Sequence, residues 1–368
     1  TLSSIHCRDS YSCDEYTISL SCGGDVYAIG HNKNGSLGQT ESIIIAQPQK
    51  IASLKAIKNI ACGESHTVCL DTSGSVFSFG GNLYGQLGIG DTIKCTHEPQ
   101  QLDLPRIQQI SCGEHFTICL SENGELYSFG QNNWGQLGLG NQEDSYFPQK
   151  VNSLHGIEFV ECGYNWSICK SLENEIYVWG FNSGGQLGLN DFKYIVTPFH
   201  RQDCLNIIDI KCGMGHTLML TDTQEVYSCG SNRFGQLGRQ SDVVFEKIPD
   251  LCGIIRIECG RTHSMCINYQ HSLYVFGDNY YGQLGLGDKQ DRNRPIKHSI
   301  ANVIDISSGG WHAFIKTYSN EIFGFGGNRC SQLGINTEYI HQVRPIRVFE
   351  QNEEIWFSNI SKSRVKSA

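Results

Sequence analysis

The chain has 368 residues, of which 39% are hydrophobic and 18% charged, a balance typical of a folded protein rather than a disordered one. No apolar run approaches the roughly 18 residues that a membrane-spanning helix needs, so we expect no membrane span. Lys and Arg number 28 against 37 Asp and Glu, giving a net charge of −9. This acidic balance argues against direct nucleic-acid binding.

The 17 cysteines are an odd number and contain no C-x-x-C pair. They therefore indicate neither a disulfide scaffold nor a zinc site. The simplest interpretation is a reducing compartment, so we expect an intracellular protein, cytoplasmic or nuclear. No metal or other cofactor is expected.

A nine-residue motif, G-x-N-x-x-G-Q-L-G or a near copy, recurs seven times at steps of 47 to 50 residues. The first glycines of the seven copies are Gly30, Gly80, Gly130, Gly180, Gly230, Gly277 and Gly326. A second block, Cys-Gly, begins eighteen residues before most copies, at Cys62, Cys112, Cys162, Cys212 and Cys259. The last copy has Ser308-Gly309 in its place.

Within each unit the strands follow in a fixed order. An apolar stretch such as Ile57 to Ile60 leads into Cys-Gly, and His66 to Leu70 is followed by a polar turn ending at Gly74 and then by Val76 to Phe79. This pattern predicts a β-hairpin, and no stretch has competing helical periodicity. About fifty residues of short strands and glycine turns fit a four-stranded propeller blade. The sequence therefore predicts an all-β, seven-bladed β-propeller forming a single domain over residues 1–361.

The two ends of the chain predict how the ring closes. The chain begins inside a unit, near Tyr16 to Leu20, and its last apolar stretch, Ile355 to Ile360, matches the strand that elsewhere precedes Cys-Gly. The C-terminal strand is thus expected to complete the first blade and to cover its open edge. Residues 362–368 form a short basic tail, expected to be solvated, with the cations Lys362, Arg364 and Lys366.

Several repeated positions are expected to be structural. The motif Leu should pack between blades, and the motif Asn should bond turn backbone through its side chain. The repeated cysteines, as in Cys62/Cys69, should pack as small residues. One further slot is filled by Tyr16, His66, Phe116, Trp166, His216, His263 and His312. Because Tyr, Phe and Trp replace His there, we expect a packed and hydrogen-bonded role and no metal site.

These motifs resemble those of the regulator of chromosome condensation family, whose seven-bladed propellers carry Cys-Gly-x-x-His-Thr and G-x-N-x-x-G-Q-L-G. Residues 62–67 and 80–88 reproduce both, and the resemblance covers essentially the whole chain. The founding member is a nucleotide exchange factor for the GTPase Ran, and related domains occur in HERC-type ubiquitin ligases. The exchange factor also has a wedge after one G-x-N turn and a basic N-terminal tail. In this sequence all seven G-x-N turns have the same length, and no basic N-terminal tail is visible. Both differences make the exchange-factor hypothesis weaker.

The x-x positions of both motifs are expected on one face, since they follow strand ends at the same end of each hairpin. Carboxylates and exposed aromatic side chains there would suit a protein partner, and the resemblance places an acidic GTPase contact at Glu64 or Glu114. The alternative is that these turn tips merely tolerate variation. The predicted partner-binding residues are Asp14, Glu15, Glu64, Tyr84, Glu114, His115, Trp134, Tyr164, Arg233, Phe234, Arg261, Tyr280, Tyr281 and Trp311.

The sequence contains no nucleophile elbow, phosphate-binding loop or H-E-x-x-H motif, so no catalytic residues are identified. Two functions remain open. The first is a monomeric protein-binding propeller that recruits a partner such as a Ran-like small GTPase, either alone or as the recognition domain of a larger protein such as a ubiquitin ligase. The second is a guanine nucleotide exchange factor for a Ran-like GTPase.

Overall fold

The computed structural model describes residues 16–21, 23–39, 43–189, 191–202, 205–240, 245–335 and 340–348. They form seven antiparallel sheets with consecutive strands paired in order, six of four strands and one of three. The first three blades comprise β1 (Tyr16–Leu20), β2 (Val26–His31) and β3 (Ile44–Lys50); β4 (Ile57–Cys62), β5 (His66–Asp71), β6 (Val76–Gly81) and β7 (Cys95–Gln101); and β8 (Ile107–Cys112), β9 (Phe116–Ser121), β10 (Leu126–Gly130) and β11 (Ser145–Lys150). A short 3-10 turn lies at Lys33–Gly35.

The other four blades continue the same arrangement. They comprise β12 (Ile157–Cys162), β13 (Trp166–Ser171), β14 (Ile176–Gly180) and β15 (Ile195–Arg201); β16 (Ile207–Cys212), β17 (His216–Thr221), β18 (Val226–Gly230) and β19 (Glu246–Lys247); β20 (Ile254–Cys259), β21 (His263–Asn268), β22 (Leu273–Gly277) and β23 (Arg292–Lys297); and β24 (Val303–Ser308), β25 (His312–Thr317), β26 (Ile322–Gly327) and β27 (His341–Arg347). The predicted seven-bladed β-propeller is confirmed.

The hairpin predicted within each unit joins the second and third strands of a blade. In the second blade, Asp71 Oδ1 accepts hydrogen bonds from the backbone N–H groups of Ser73 (2.9 Å) and Ser75 (2.8 Å). Gly74 follows with φ +90°, a conformation that glycine adopts without a Cβ penalty. The sequence Asp-Thr-Ser-Gly therefore closes the turn by itself and fixes the pairing of β5 with β6.

The ring is held by contacts between neighbouring blades. The first strands of the second to seventh blades, which we call the inner strands, lie one against the next around the axis. The seventh and first blades also meet: the Thr17 hydroxyl donates to the carbonyl of Gln332 (2.9 Å) and lies 3.3 Å from His312 Nε2. The predicted closing strand at 355–360 and the basic tail lie outside the described residues.

The repeated motif shapes the turn after the third strand of each blade. The side chain of its Asn, for example Asn82, accepts from the backbone N–H of Leu87 (2.9 Å) and donates to the carbonyl of Gly90 (2.8 Å). Leu87 is fully buried, and its counterpart Leu137 packs in a core cluster shared by the third and fourth blades. Both structural predictions for the motif, its Asn and its Leu, are confirmed.

The Cys-Gly block makes room for the side chain in the slot three residues later. A Cβ placed on Gly63 would lie 1.8 Å from His66 Cε1, and one on Gly113 would lie 1.9 Å from Phe116 Cε1. The slot side chains are buried, and burial lowers the pKa of His66 to about 3, so this imidazole is neutral. The packed role predicted for the slot is confirmed, and the side-chain rings of the slot explain why glycine precedes it. The predicted hydrogen bond is present at Tyr16, His66, His216 and His312. It was wrong for Trp166 and His263, whose buried ring nitrogens have no hydrogen-bond partner among the described residues.

The cysteines of the repeat are packing residues, as predicted. Each of the thirteen cysteines in the described ranges is a free thiol. Burial raises the pKa of the Cys69 and Cys112 thiols, which keeps them protonated and therefore poorly reactive.

Candidate functional site

The x-x positions of both motifs lie at the same end of each blade, as the sequence predicts. In the second blade Cys62 pairs with Thr67, and His66 pairs with Gly80, so residues 64–65 and the turn after Gly80 leave the sheet together. We call this end of the propeller the Cys-Gly face. The opposite end carries the hairpin turns such as the one at Asp71.

The Cys-Gly loops of neighbouring blades are bonded through their backbones. Glu64 N–H donates to Glu114 O and Glu114 N–H to Tyr164 O, each at 2.9 Å. On the other side of the ring, Met214 N–H donates to Arg261 O at 3.0 Å and Arg261 N–H to Gly310 O at 3.4 Å. These hydrogen bonds connect each blade to the next at the centre of the Cys-Gly face. The backbone that carries the side chains of this face is therefore held in place by its neighbours.

Glu64, Glu114 and His115 form an acidic centre on this face. His115 Nε2 lies 3.0 Å from Glu64 Oε2 and 3.9 Å from Glu114 Oε1. The Tyr84 ring stacks on His115 with centroids 4.8 Å apart, and Asn165 Nδ2 donates to Glu114 Oε2 at 3.1 Å. The side chains of Glu64 and Glu114 are only 18% and 12% exposed. Each carboxylate is therefore bonded to a neighbouring side chain, Glu64 to His115 and Glu114 to Asn165, rather than freely solvated.

The electrostatics of the centre are set mainly by burial. Burial raises the pKa of Glu114 and the Glu64 charge raises it further, whereas hydrogen bonds from Tyr164 and Asn165 act in the opposite direction. Burial, followed by the hydrogen bond to Glu114, raises the pKa of the Tyr164 phenol. Negative charge is thus held where water is scarce, and a cation brought close to it would be attracted more strongly than at an open surface.

Among the described residues, the acidic centre is also a group whose ligand atoms are close enough together to hold a metal ion. Ligand atoms of Glu64, Glu114 and His115 all lie within 4.8 Å of one another. The 3.0 Å contact between Glu64 and His115 is already a hydrogen bond. Metal-free function stays a prediction.

Arg261 connects the acidic centre to an aromatic group across the face. Its guanidinium lies 5.9 Å from the Tyr164 ring centroid and 5.0 Å from that of Trp311, within the range of cation–π attraction. Tyr281 continues the line, 5.2 Å from Trp311 and 4.9 Å from Tyr280. Nine predicted residues therefore form one connected series, consisting of Tyr84, His115, Glu64, Glu114, Tyr164, Arg261, Trp311, Tyr281 and Tyr280.

The remaining described site residues lie apart from this series. Trp134 is 38% exposed and packs against Phe181 and Tyr194, with centroids 4.8 and 6.0 Å away. Arg233 lies over the ring of its neighbour Phe234 at 5.5 Å. Phe181 and Tyr194 are residues that the sequence analysis missed, and Asp14 and Glu15 lie outside the described residues.

The aromatic tip residues share one position in the motif, which fixes their backbone. The motif Gln accepts the N–H of the tip residue through its side-chain oxygen, as Gln86 does for Tyr84 (3.0 Å) and Gln136 for Trp134 (2.9 Å). Phe234 and Tyr281 are held in the same way by their own motif Gln. The rings are therefore presented from ordered turns, which reduces the entropy lost when a partner binds.

Comparison with known structures shows similarity in fold. Human WBSCR16 is 23% identical, with a TM-score of 0.74 and coverage of 84% of each chain. Prp20p of Saccharomyces cerevisiae, described with its binding properties to Gsp1p and histones, is 21% identical over 80% of this chain and 78% of its own, with a TM-score of 0.73. The ectodomain of the Arabidopsis thaliana receptor kinase ACR4 is more distant, at 13% identity and a TM-score of 0.54, covering 88% of this chain and 95% of its own.

In the ranges that the structure describes, no helix combines the length and apolar character needed to cross a membrane.

The sequence was also compared with curated proteins and with protein-family models. No curated protein matches this chain significantly. The model of the RCC1-like domain matches residues 5–206, and models of the regulator of chromosome condensation (RCC1) repeat match residues 207–236, 224–267, 254–283, 270–315 and 303–332. The chain therefore belongs to the family of regulator of chromosome condensation repeat propellers.

Proposed function

We propose that this propeller binds a protein partner through its Cys-Gly face, and that the partner is a small GTPase of the Ran class. The observation that carries the proposal is the connected series from Tyr84 to Tyr280 on a backbone braced between blades. Tyr, Trp and Arg supply most of the anchoring energy at protein interfaces. A set of such residues on ordered turns is suited to a folded partner.

Charge supports a basic partner surface. Glu64 and Glu114 lie side by side at the centre of the face, and the chain carries a net charge of −9. Complementary charge accelerates association and disfavours acidic partners. The structural neighbour Prp20p is described as binding Gsp1p, which makes a GTPase of this kind the first partner to test.

A second function, guanine nucleotide exchange, is implied by the resemblance to the founding member of the family. Exchange needs no catalytic constellation, because a factor accelerates nucleotide release by binding the nucleotide-free GTPase more tightly than the loaded form. The equal length of all seven motif turns means that no motif turn carries an inserted wedge. Recruitment without exchange is therefore the first choice, either alone or as the recognition domain of a larger protein such as a ubiquitin ligase.

Calorimetric titration of the chain with Ran tests the binding face. The double charge reversal Glu64→Lys with Glu114→Lys, and separately the truncation Tyr84→Ala with Trp134→Ala, should each weaken binding by about a hundredfold, or about 2.7 kcal/mol. The matched control is Glu122→Lys with Glu173→Lys, at the opposite end of the blades, which should leave the affinity unchanged. Equal binding by all variants would show that the face is wrong.

Release of a fluorescent guanine nucleotide from Ran separates the two functions. A hundredfold acceleration by stoichiometric propeller corresponds to about 2.7 kcal/mol of differential stabilisation and would establish exchange. Binding without acceleration would establish recruitment. Absence of both binding and acceleration would contradict the choice of a Ran-class partner.

A further inference from the structure

The end of the propeller opposite the Cys-Gly face carries a group of exposed apolar side chains, which we call the hairpin-end patch. It consists of Leu172 (72% exposed), Tyr269 (60%), Tyr318 (60%), Ile255 (44%) and Ile208 (40%). All five belong to the fourth to seventh blades. Contiguous exposed apolar surface is uncommon on soluble proteins and often marks an interaction site.

Strand register places these residues at one end. Leu172, Tyr269 and Tyr318 each follow directly after the second strand of their blade, in the hairpin turn. Ile207 pairs with Thr221, the last residue of β17, so the inner strand containing Ile208 begins beside a hairpin turn. Ile255 occupies the equivalent position in the next blade.

Local contacts connect the hairpin ends and inner strands that carry the patch. Lys170 Nζ donates to the carbonyl of Ile207 at 3.0 Å, joining the fourth hairpin to the fifth inner strand. The Tyr269 ring lies on Gly253, where a Cβ would be 2.4 Å from Cδ1 of the ring. Tyr318 Oη lies 2.7 Å from Nε2 of His271, which joins the sixth hairpin to the seventh.

The repeat does not require apolar residues at these positions. The turn position that holds Leu172, Tyr269 and Tyr318 is occupied by Thr72, Glu122 and Asp222 in other blades. The inner-strand position that holds Ile208 and Ile255 is occupied by Lys58, Gln108 and Glu158. Since other blades carry polar residues at both positions, the blade itself does not require apolar ones there.

The charges beside the patch are predominantly negative. Glu173 and Asp222 are exposed in the hairpin turns, and Asp250 is exposed in the loop that leads to Ile254. Two cations of these blades are paired, Lys170 with Glu158 at 3.0 Å and Arg256 with Asp305 at 2.7 Å. The rim therefore presents carboxylates to an approaching molecule.

We propose that the hairpin-end patch binds a second protein through a linear segment in which aliphatic or aromatic side chains alternate with Lys or Arg. The apolar side chains of the segment would cover Leu172, Ile208 and Ile255, and its cations would meet the acidic rim, which also rejects acidic segments. The tyrosines offer both ring area and a hydroxyl. Because this patch and the Cys-Gly face lie at opposite ends of the blades, the inference is independent of the GTPase proposal.

Peptide selection on the whole chain tests the inference. Random twelve-residue peptides displayed on phage are selected on immobilised protein, and enriched peptides are synthesised and titrated by fluorescence anisotropy. The enriched peptides should combine apolar residues with Lys or Arg. Ile255→Ser with Tyr269→Ser should weaken their binding by about tenfold or more. The matched control is Phe147→Ser, which removes a side chain of similar exposure (58%) from β11.

Four outcomes would overturn the inference. They are no enrichment, enrichment of acidic peptides, equal binding by the double variant, and loss of binding in the Phe147→Ser control. Sedimentation velocity and flotation with anionic phosphatidylserine vesicles complete the test, since a dimer or a vesicle complex abolished by the double variant would assign the patch to a second copy or to a membrane instead. Thermal denaturation of each variant confirms that it is folded.

Discussion

The Nε2 atom of His66 lies 3.1 Å from the hydroxyl oxygen of Thr117, across the boundary between the second and third blades. The same hydroxyl donates to the carbonyl of Gln86 at 2.9 Å. Because its only hydrogen is used there, the hydroxyl must accept from the imidazole, which fixes the proton on Nε2. His216 and Ser264 repeat this relationship at 3.0 Å, and Ser264 likewise donates to the carbonyl of Gln236. A hydroxyl of one blade therefore bonds both the slot histidine and the motif of the preceding blade.

No such hydroxyl connects the sixth blade to the seventh, and this difference leads to the first prediction. The hydroxyl position is occupied by Ala313, and neither nitrogen of the buried His263 ring has a hydrogen-bond partner. Ala313→Ser should supply an acceptor for His263 Nε2 and a donor for the carbonyl of Gln283. We expect a gain of about 1 kcal/mol in the free energy of unfolding, measured by urea denaturation.

The reverse substitution is the control for this prediction. Ser264→Ala removes the hydroxyl that His216 uses and should cost about 1 to 3 kcal/mol, because a buried donor loses its partner. If Ala313→Ser destabilised the protein while Ser264→Ala had no effect, the hydroxyl link would not contribute to holding blades together.

The slot histidines also predict how stability depends on pH. Burial lowers the pKa of His263 to about 3, with further lowering by His216 and His312. In the unfolded chain a histidine titrates near pH 6.5. Below that pH the unfolded state binds a proton that the folded state does not, so stability falls by about 1.4 kcal/mol per pH unit for each such group until about pH 3.

His263→Phe should therefore reduce the acid sensitivity. Phe occupies the same slot at Phe116, and His263 makes no hydrogen bond that the change would remove. Between pH 7 and pH 5 the variant should lose about 2 kcal/mol less than the native chain in urea denaturation. Phe116→His should have the opposite effect and steepen the loss. Equal slopes for all three proteins would contradict a neutral, buried imidazole.

The seventh copy of the motif contains a strained residue. Ser331 has φ +64° where the other six copies have glycine. A left-handed conformation costs a residue with a Cβ roughly 1–2 kcal/mol, whereas glycine costs roughly 0.5–1 kcal/mol in chain entropy. Ser331→Gly should therefore stabilise the protein by about 0.5–1 kcal/mol, read as an increase in the midpoint of thermal unfolding.

Gly85→Ser introduces the same residue where it does not fit and serves as the comparison. A Cβ on Gly85 would lie 2.6 Å from the carbonyl oxygen of Ser145 in the next blade. This variant should be less stable than the native chain by more than Ser331→Gly is stabilised. A destabilising Ser331→Gly would mean that the serine side chain makes a contact worth more than its strain.

The fold was predictable because the residues that form each turn and strand pairing recur in all seven units. The positions of Asn82 and Leu87 recur in every unit, and their hydrogen bond closes the same turn in each blade. The role of Gly63 was harder to foresee, since it depends on the ring of His66 lying over it rather than on a positive φ.

The connections within the candidate site were not predictable from the motif. Trp134 meets Phe181 and Tyr194, which come from the next blade and are distant in sequence. The hairpin-end patch was missed for a different reason. The sequence shows that the inner-strand position of Lys58 is occupied by isoleucine at Ile208 and Ile255. That these two isoleucines are exposed follows only from how the inner strands pack around the axis.

Glu114 leads to the last prediction, in which a candidate binding residue costs stability. Burial raises the pKa of this carboxyl, and the Glu64 charge adds to the effect. Its ionisation in the folded protein is therefore less favourable than in the unfolded chain, so the native protein loses stability as the pH rises from the unfolded pKa through the raised folded value.

Glu114→Gln keeps the shape of the side chain and can still accept a hydrogen bond from Tyr164, but it carries no charge. The variant should become increasingly more stable than the native chain as the pH is raised from 4 to 7, while its affinity for a basic partner falls. Thermal denaturation across this range measures the first effect and calorimetric titration with Ran the second. A constant difference in stability at all pH values would show that the Glu114 charge is not penalised by its surroundings.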